Sequence, residues 1–81
     1  MRILFAPEAA EAFHQLPESA KRKAAISIDL LLRHPSLYPI RRRGIMRGYR
    51  YFVADRFLIY YKVSSAEIRV SSILPGMMQK A

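Results

Sequence analysis

Between Arg41 and Arg50 the chain reads RRRGIMRGYR, five arginines within ten residues. A guanidinium is a planar fork of donors that clamps a phosphate or a carboxylate. Arg56 and Lys62 follow in a stretch rich in Tyr, Phe and Ile. Cations so placed suit the cutting of RNA through its own 2′-hydroxyl, where they stabilise charge developing on the phosphoryl group. Arg50, Arg56 and Lys62 are the catalytic candidates on that reading. The reaction also needs one group to take a proton and another to give one. His14 and His34 fall in helical sequence, away from the strands, and the six acids are scattered rather than paired. Tyr49, Tyr51, Tyr60 and Tyr61 read as sheet or core aromatics, because a phenol with an ordinary pKa of ~10 needs strong tuning to act at neutral pH. Whether the protein is an enzyme stays open.

The same cations can bind instead of cut. Arg41, Arg42, Arg43, Arg47, Arg50 and Arg56 are candidates for contact with a target or with an acidic partner. Arg41 to Arg43 fit a solvated loop face as well. Neither two histidines four residues apart on a helix nor a Gly-rich phosphate cradle occurs, so no metal and no cofactor is expected.

Composition narrows the partners. Fourteen Lys and Arg against six Asp and Glu give a net charge of +8. Residues 33–62 carry eight of the basic groups against Asp55 alone, a net +7, so the excess sits in the middle third. A patch of that kind implies a polyanionic partner, nucleic acid or acidic protein. The absence of cysteine excludes disulfides and thiolate metal sites. No apolar run approaches a signal-peptide core or a membrane span. With 81 residues and 52% hydrophobic side chains, the expectation is one soluble cytoplasmic domain, residues 1–81, with no membrane association.

The elements that must position these residues follow from periodicity. Residues 2–6, RILFA, read as a short buried strand. PEAAEAFHQL opens a short helix with Pro7 in the first turn and Glu8 and Glu11 near its positive end. Pro17 then starts a longer helix in which Ala24, Ile28, Leu31 and Leu32 form the inward stripe. It stops at His34, since Pro35 disfavours helical geometry in its predecessor. PSLYPIRRRGIMRG reads as a loop. YRYFV, RFLIYYKV and EIRVSSIL read as three strands joined by hairpins. In the middle strand Phe57, Ile59, Tyr61 and Val63 share one face and Leu58, Tyr60 and Lys62 the other. Neither face is purely polar, so one packs on the helices and the second is partly exposed and sticky. The expected fold is α+β: an N-terminal strand, an αα-hairpin and a three-stranded antiparallel meander, with the helices on one face of the sheet.

In this order the chain resembles the RelE/ParE superfamily of toxins from type II toxin–antitoxin pairs. The likeness rests on Pro7–Ala9 at the first helix, His34–Pro35 after the second, Gly48–Arg50 into the second strand, and Arg56 through Tyr61 and Val63 in the third. It implies a growth-inhibiting toxin neutralised by a cognate acidic antitoxin. ParE-like members inhibit DNA gyrase. RelE-like members are metal-free, ribosome-dependent mRNA endonucleases that use sheet-borne Arg and Lys and a C-terminal tyrosine. Arg50 matches one basic sheet position, but Leu58 occupies the third-strand arginine position and Met78 the basic position after the last strand. No tyrosine follows Tyr61, and the tail LPGMM keeps the ParE-like glycine at Gly76 without its His and Arg. The resemblance therefore points to ParE-like inhibition of gyrase, with RelE-like mRNA cleavage, or an inactive homologue that only binds its antitoxin, as alternatives. Ile73, Leu74, Met77 and Met78 make an apolar end. It either completes the core or, through adaptable methionines, helps to form a docking groove for the antitoxin.

Overall fold

The structure is a computed structural model that describes residues 1–76. Its elements are β1 (Arg2–Phe5), α1 (Pro7–His14), α2 (Glu18–Arg33), β2 (Arg50–Ala54), β3 (Phe57–Val63) and β4 (Glu67–Pro75). The four strands form one sheet in the order β1-β4-β3-β2. β2, β3 and β4 are the antiparallel meander that the sequence predicts. β1 pairs in parallel with β4, Ile3 opposite Ile68 and Phe5 opposite Val70, and makes the sheet mixed.

The αα-hairpin carries the chain from β1 at one edge of the sheet to β2 at the other, and the meander brings it back to β4 beside β1. α1 begins with Pro7 in its first turn and Glu8 beside it, and ends with His14 in its last turn, each favourable for its end of the helix dipole. Leu16 lies beyond α1 and is buried. The helices cover one face of the sheet. Ala9, Leu16, Ala20, Ala24 and Leu31 meet Phe52, Ala54, Ile59, Tyr61, Ile68, Val70 and Ile73 in a single core. Small residues facing the sheet let α2 approach it closely. Of the expected stripe, Ala24 and Leu31 are fully buried and Ile28 and Leu32 pack at its margin. Ala20 completes it one turn earlier.

Two expectations need correction, and the structure adds a register shift. β1 is an edge strand and only half-buried, with Arg2 exposed, because nothing pairs with its outer side among the described residues. Val63 shares its side of β3 with Tyr61 but is exposed, since it lies at the rim. The register slips on β4: Tyr60 faces Ser72 while Tyr61 faces Val70, so Ser71 is an extra residue in a bulge. That slip keeps Ile68, Val70 and Ile73 all on the core side despite their unequal spacing.

At the end of β4 the Gly76 N–H donates to the Arg56 carbonyl at 2.6 Å. A Cβ at Gly76 would stand 3.0 Å from that oxygen, so the close approach is the reason for glycine here.

Candidate functional site

The arginine-rich segment is not a free loop. Pro39 to Arg41 run against Tyr49 to Tyr51 as a short fringe on the outer side of β2. The Arg41 N–H donates to the Tyr49 carbonyl at 2.7 Å, the Gly48 N–H to Arg41 at 2.9 Å and the Tyr51 N–H to Pro39 at 3.1 Å. Inside this clasp the Arg47 N–H reaches the Gly44 carbonyl at 3.2 Å and the Tyr49 N–H reaches Met46 at 3.1 Å. Gly44 and Gly48 sit at φ +86° and +94°, a region that side chains with a Cβ enter at a cost. The two glycines allow the turn its positive φ angles, and the ladder of hydrogen bonds holds the loop in shape.

Within it the arginines divide. Arg50 opposes Tyr61 across the sheet, and its guanidinium donates to the Tyr38 carbonyl at 2.7 Å and to Ser36 at 3.5 Å. It ties the chain after α2 to β2. Arg41 donates from Nε to the Arg43 carbonyl at 3.1 Å and stands over the Tyr51 ring at 6.0 Å. Arg42, Arg43 and Arg47 are exposed. Arg56 belongs to another place. It sits in the two-residue β2–β3 turn, at the far end of β2 from Arg50, about 17 Å away at the usual rise of a strand. The six sequence-selected arginines thus fall into five at one corner and one opposite.

Lys62 lies on the face of the sheet away from the helices, with its ammonium 4.4 Å from the centre of the Tyr49 ring, a cation–π contact. Arg50 and Lys62 come together around a hollow of about 290 Å³ that Ser36, Ile40, Gly48, Tyr61 and Val63 also line. Burial pushes the Tyr61 phenol up to about 12, against a smaller opposing effect of Arg50. Its hydroxyl faces the Pro35 carbonyl at 3.5 Å. Tyr60 is buried on the sheet face away from the helices, beside Tyr51, their ring centres 5.8 Å apart. Its pKa is also raised by burial, with Arg41 opposing. Both phenols keep their protons at neutral pH.

His14 and His34 are exposed at helix ends, remote in sequence from every strand. Among the described residues no group of three or more His, Cys, Asp and Glu side chains is placed to hold a metal. Met77 and Met78 lie outside the described residues. No helix among those described is long and apolar enough to cross a membrane.

Sequence reasoning missed a second polar cluster. Asp55, with φ +56° in the β2–β3 turn, accepts from Ser19 Oγ at 2.5 Å and from the Lys23 ammonium. These hydrogen bonds, Lys23 first and Ser19 next, hold its carboxyl below the ordinary value. The helical spacing of Ser19 and Lys23 was the only available signal. Also missed was a hollow of about 300 Å³ lined by Phe5, Ala10, Phe13, Ala25 and Ile28.

No family model matches the sequence, and neither does any curated protein. Solved structures do. The E. coli RelBE toxin–antitoxin complex contains a chain that superposes with a TM-score of 0.75 at 13% identity, covering 90% of this chain and 93% of that one. The archaeal RelE–RelB complex from Pyrococcus horikoshii OT3 gives 0.75 at 15% identity, over 99% and 97%. The YoeB dimer from Staphylococcus aureus gives 0.73 at 20% identity, over 91% and 94%. This chain has the RelE/YoeB toxin fold.

Within that fold Leu58, at the third-strand arginine position suggested by the resemblance, stands between Val53 on β2 and Leu74 on β4. The row it forms on the face away from the helices is apolar. The next row toward the arginine corner is Tyr51, Tyr60 and Ser72, and Lys62 beside Arg69 follows. The face away from the helices is thus graded from apolar at the turn to cationic at the arginine corner.

Proposed function

We infer that this protein is the toxin of a type II toxin–antitoxin pair, arresting growth until a cognate acidic antitoxin binds it. The observation that carries the reading is agreement with the RelE and YoeB folds over nine-tenths or more of both chains. The charge supports it independently. The four ion pairs among the described residues join Arg2 and Arg69 to Glu67, Lys23 to Asp55 and Arg33 to Asp29. None of these involves Arg42, Arg43, Arg47 or Arg50, and the segment 41–50 itself contains no Asp or Glu. An acidic antitoxin that covers it stabilises this small domain by mass action.

For the target, inhibition by binding in the manner of ParE on DNA gyrase fits the side chains better than cutting. Arg50 is engaged with backbone carbonyls, Arg56 is remote, and the buried phenols hold their protons too tightly to act as bases. RelE-like, ribosome-dependent mRNA cleavage is the second reading, favoured by the hollow that Arg50, Lys62 and Tyr61 line together. Either target places the protein in the cytoplasm. An inactive homologue that only binds the antitoxin is the third.

Induction of the gene alone is expected to arrest cells, and co-expression of an adjacent small acidic reading frame to rescue them. Supercoiling assays with purified gyrase, alongside mapping of transcript ends after induction, then separate the readings. Accumulated DNA cleavage complexes support the first and codon-positioned cuts the second. Harmless expression at high level in cells deleted for the adjacent acidic reading frame would overturn both.

A further inference from the structure

We propose that the 41–48 loop is a prong for duplex nucleic acid, its arginines holding backbone phosphates while Ile45 wedges between base pairs in the minor groove. The first observation is Ile45 itself. It is 98% exposed, more than any other large apolar side chain described. Ile26 and Leu30, also exposed, at least share a helix face with neighbours, whereas Ile45 stands alone at a loop tip. The second is what flanks it. Arg42 and Arg43 precede it and Arg47 follows, all three exposed, with no carboxylate in the loop. The third is order: the hydrogen bonds that clasp 41 to 49, with Arg47 N–H to Gly44 and Tyr49 N–H to Met46 inside them, hold the tip, so presenting it costs little ordering on binding.

An apolar tip between cations matches the minor groove. The groove is about 6 Å wide, with phosphates along both walls, and Ile is among the side chains that wedge into base steps and kink the duplex. A lipid surface fits less well, since a single exposed isoleucine is a small anchor. An acidic peptide would satisfy the arginines and leave Ile45 in water. The inference does not need the toxin reading, because it concerns binding by the protein alone.

The test uses the full-length protein and a labelled A·T-rich DNA duplex of about two helical turns, titrated over a range of salt. The parallel arms are the same sequence as an RNA duplex, phosphatidylglycerol vesicles and poly-glutamate. Arg42→Gln/Arg43→Gln/Arg47→Gln is expected to flatten the log–log salt slope by about 2.7, at ~0.9 per phosphate contact. Ile45→Ser is expected to keep the slope, to lose about tenfold in affinity, and to abolish the rise of 2-aminopurine fluorescence that reports an opened base step. Both variants change exposed residues, and unchanged melting shows that they fold. An unaltered slope in the triple variant overturns the clamp, and an Ile45→Ser protein that still opens the step overturns the wedge. Tighter binding to RNA duplex, whose minor groove is shallow, to vesicles or to poly-glutamate would overturn the proposed ligand. None of these outcomes bears on growth arrest, so the proposal and the toxin reading fail separately.

Discussion

The two ends of β2 treat charge in opposite ways. At the far end, Asp55 in the turn is met by Lys23 and Ser19 from α2, so a cation, an anion and a hydroxyl satisfy one another. At the near end, Arg42, Arg43 and Arg47 point outward from a rigid loop with no acid among them. One end uses polar groups to fasten helix to sheet. The other leaves those arginines exposed to solvent. Arg50 belongs by position to the charged end and by contacts to the fastened one, which makes sequence position alone a poor guide to role. An arginine whose guanidinium is aimed at carbonyls of its own chain is part of the fold, whatever stands beside it in sequence.

The sharpest blow to the fastened end should come from Gly76→Val. Its Cβ would meet the Arg56 carbonyl at 3.0 Å, and the obstacle is backbone, which cannot step aside as a flexible side chain would. We expect a loss of about 3 kcal/mol, as for overpacking, read as a lowered urea midpoint. A midpoint within error of the parent would mean that the turn and the end of β4 adjust freely.

At the other end, Arg50→Met should cost about 1.5 kcal/mol, because it leaves the Tyr38 carbonyl without its charged donor. In a domain of this size each kcal/mol moves the melting temperature by roughly 4–8 °C. Arg42→Gln, Arg43→Gln and Arg47→Gln should each stay within about 0.5 kcal/mol of the parent. Equal losses at all four positions would erase the distinction between fastening and presenting arginines.

Much of the fold was legible because its signals are local. Prolines at 7, 17 and 35 mark the helix boundaries, and alternation in FLIYYKV marks β3. What was not legible depends on contacts far apart in sequence. Nothing in RILFA says that it pairs in parallel with β4, or that its outer side stays open. The Ser71 bulge hides in SSIL, where either register looks acceptable until the core side is known. For the site, the cluster of arginines could be read directly, but the split between Arg50 and its neighbours could not. It depends on where the chain after His34 turns and presents the Tyr38 carbonyl. The Ser19–Lys23–Asp55 fastening joins residues more than thirty apart, and no spacing rule connects them.

The hollow at the charged end makes an alkaline prediction. Tyr61 ionises near 12 in the folded chain and near ~10 when unfolded. Below the lower value both states hold the proton and the full stability is present. As pH rises between the two, the unfolded chain releases its proton first, so stability should fall through that window. Tyr61→Phe should flatten the fall. A Tyr61 phenolate appearing near its ordinary pKa by phenolate absorbance, with the fold intact, would show that the hollow is wetter than its lining implies.

The smallest effect expected lies at the fastened end, in acid. Asp55 titrates below the ordinary carboxylate value of 3.8 in the folded chain, through its bonds to Lys23 and Ser19. The unfolded state therefore takes up the proton first as pH falls. The fastening contributes its full share of stability at neutral pH and loses it below about 4, through the folded value. Because the pair faces solvent, salt should weaken it. The Asp55→Asn protein should lose that acid dependence and melt slightly lower than the parent at neutral pH, with the gap narrowing in high salt. Asn tolerates the left-handed backbone at this position as Asp does, so the comparison isolates the charge. If Asp55→Asn and the parent lose stability in parallel between pH 5 and 3, the helix is held to the turn by packing alone, and the contrast between the two ends of β2 reduces to the arginines.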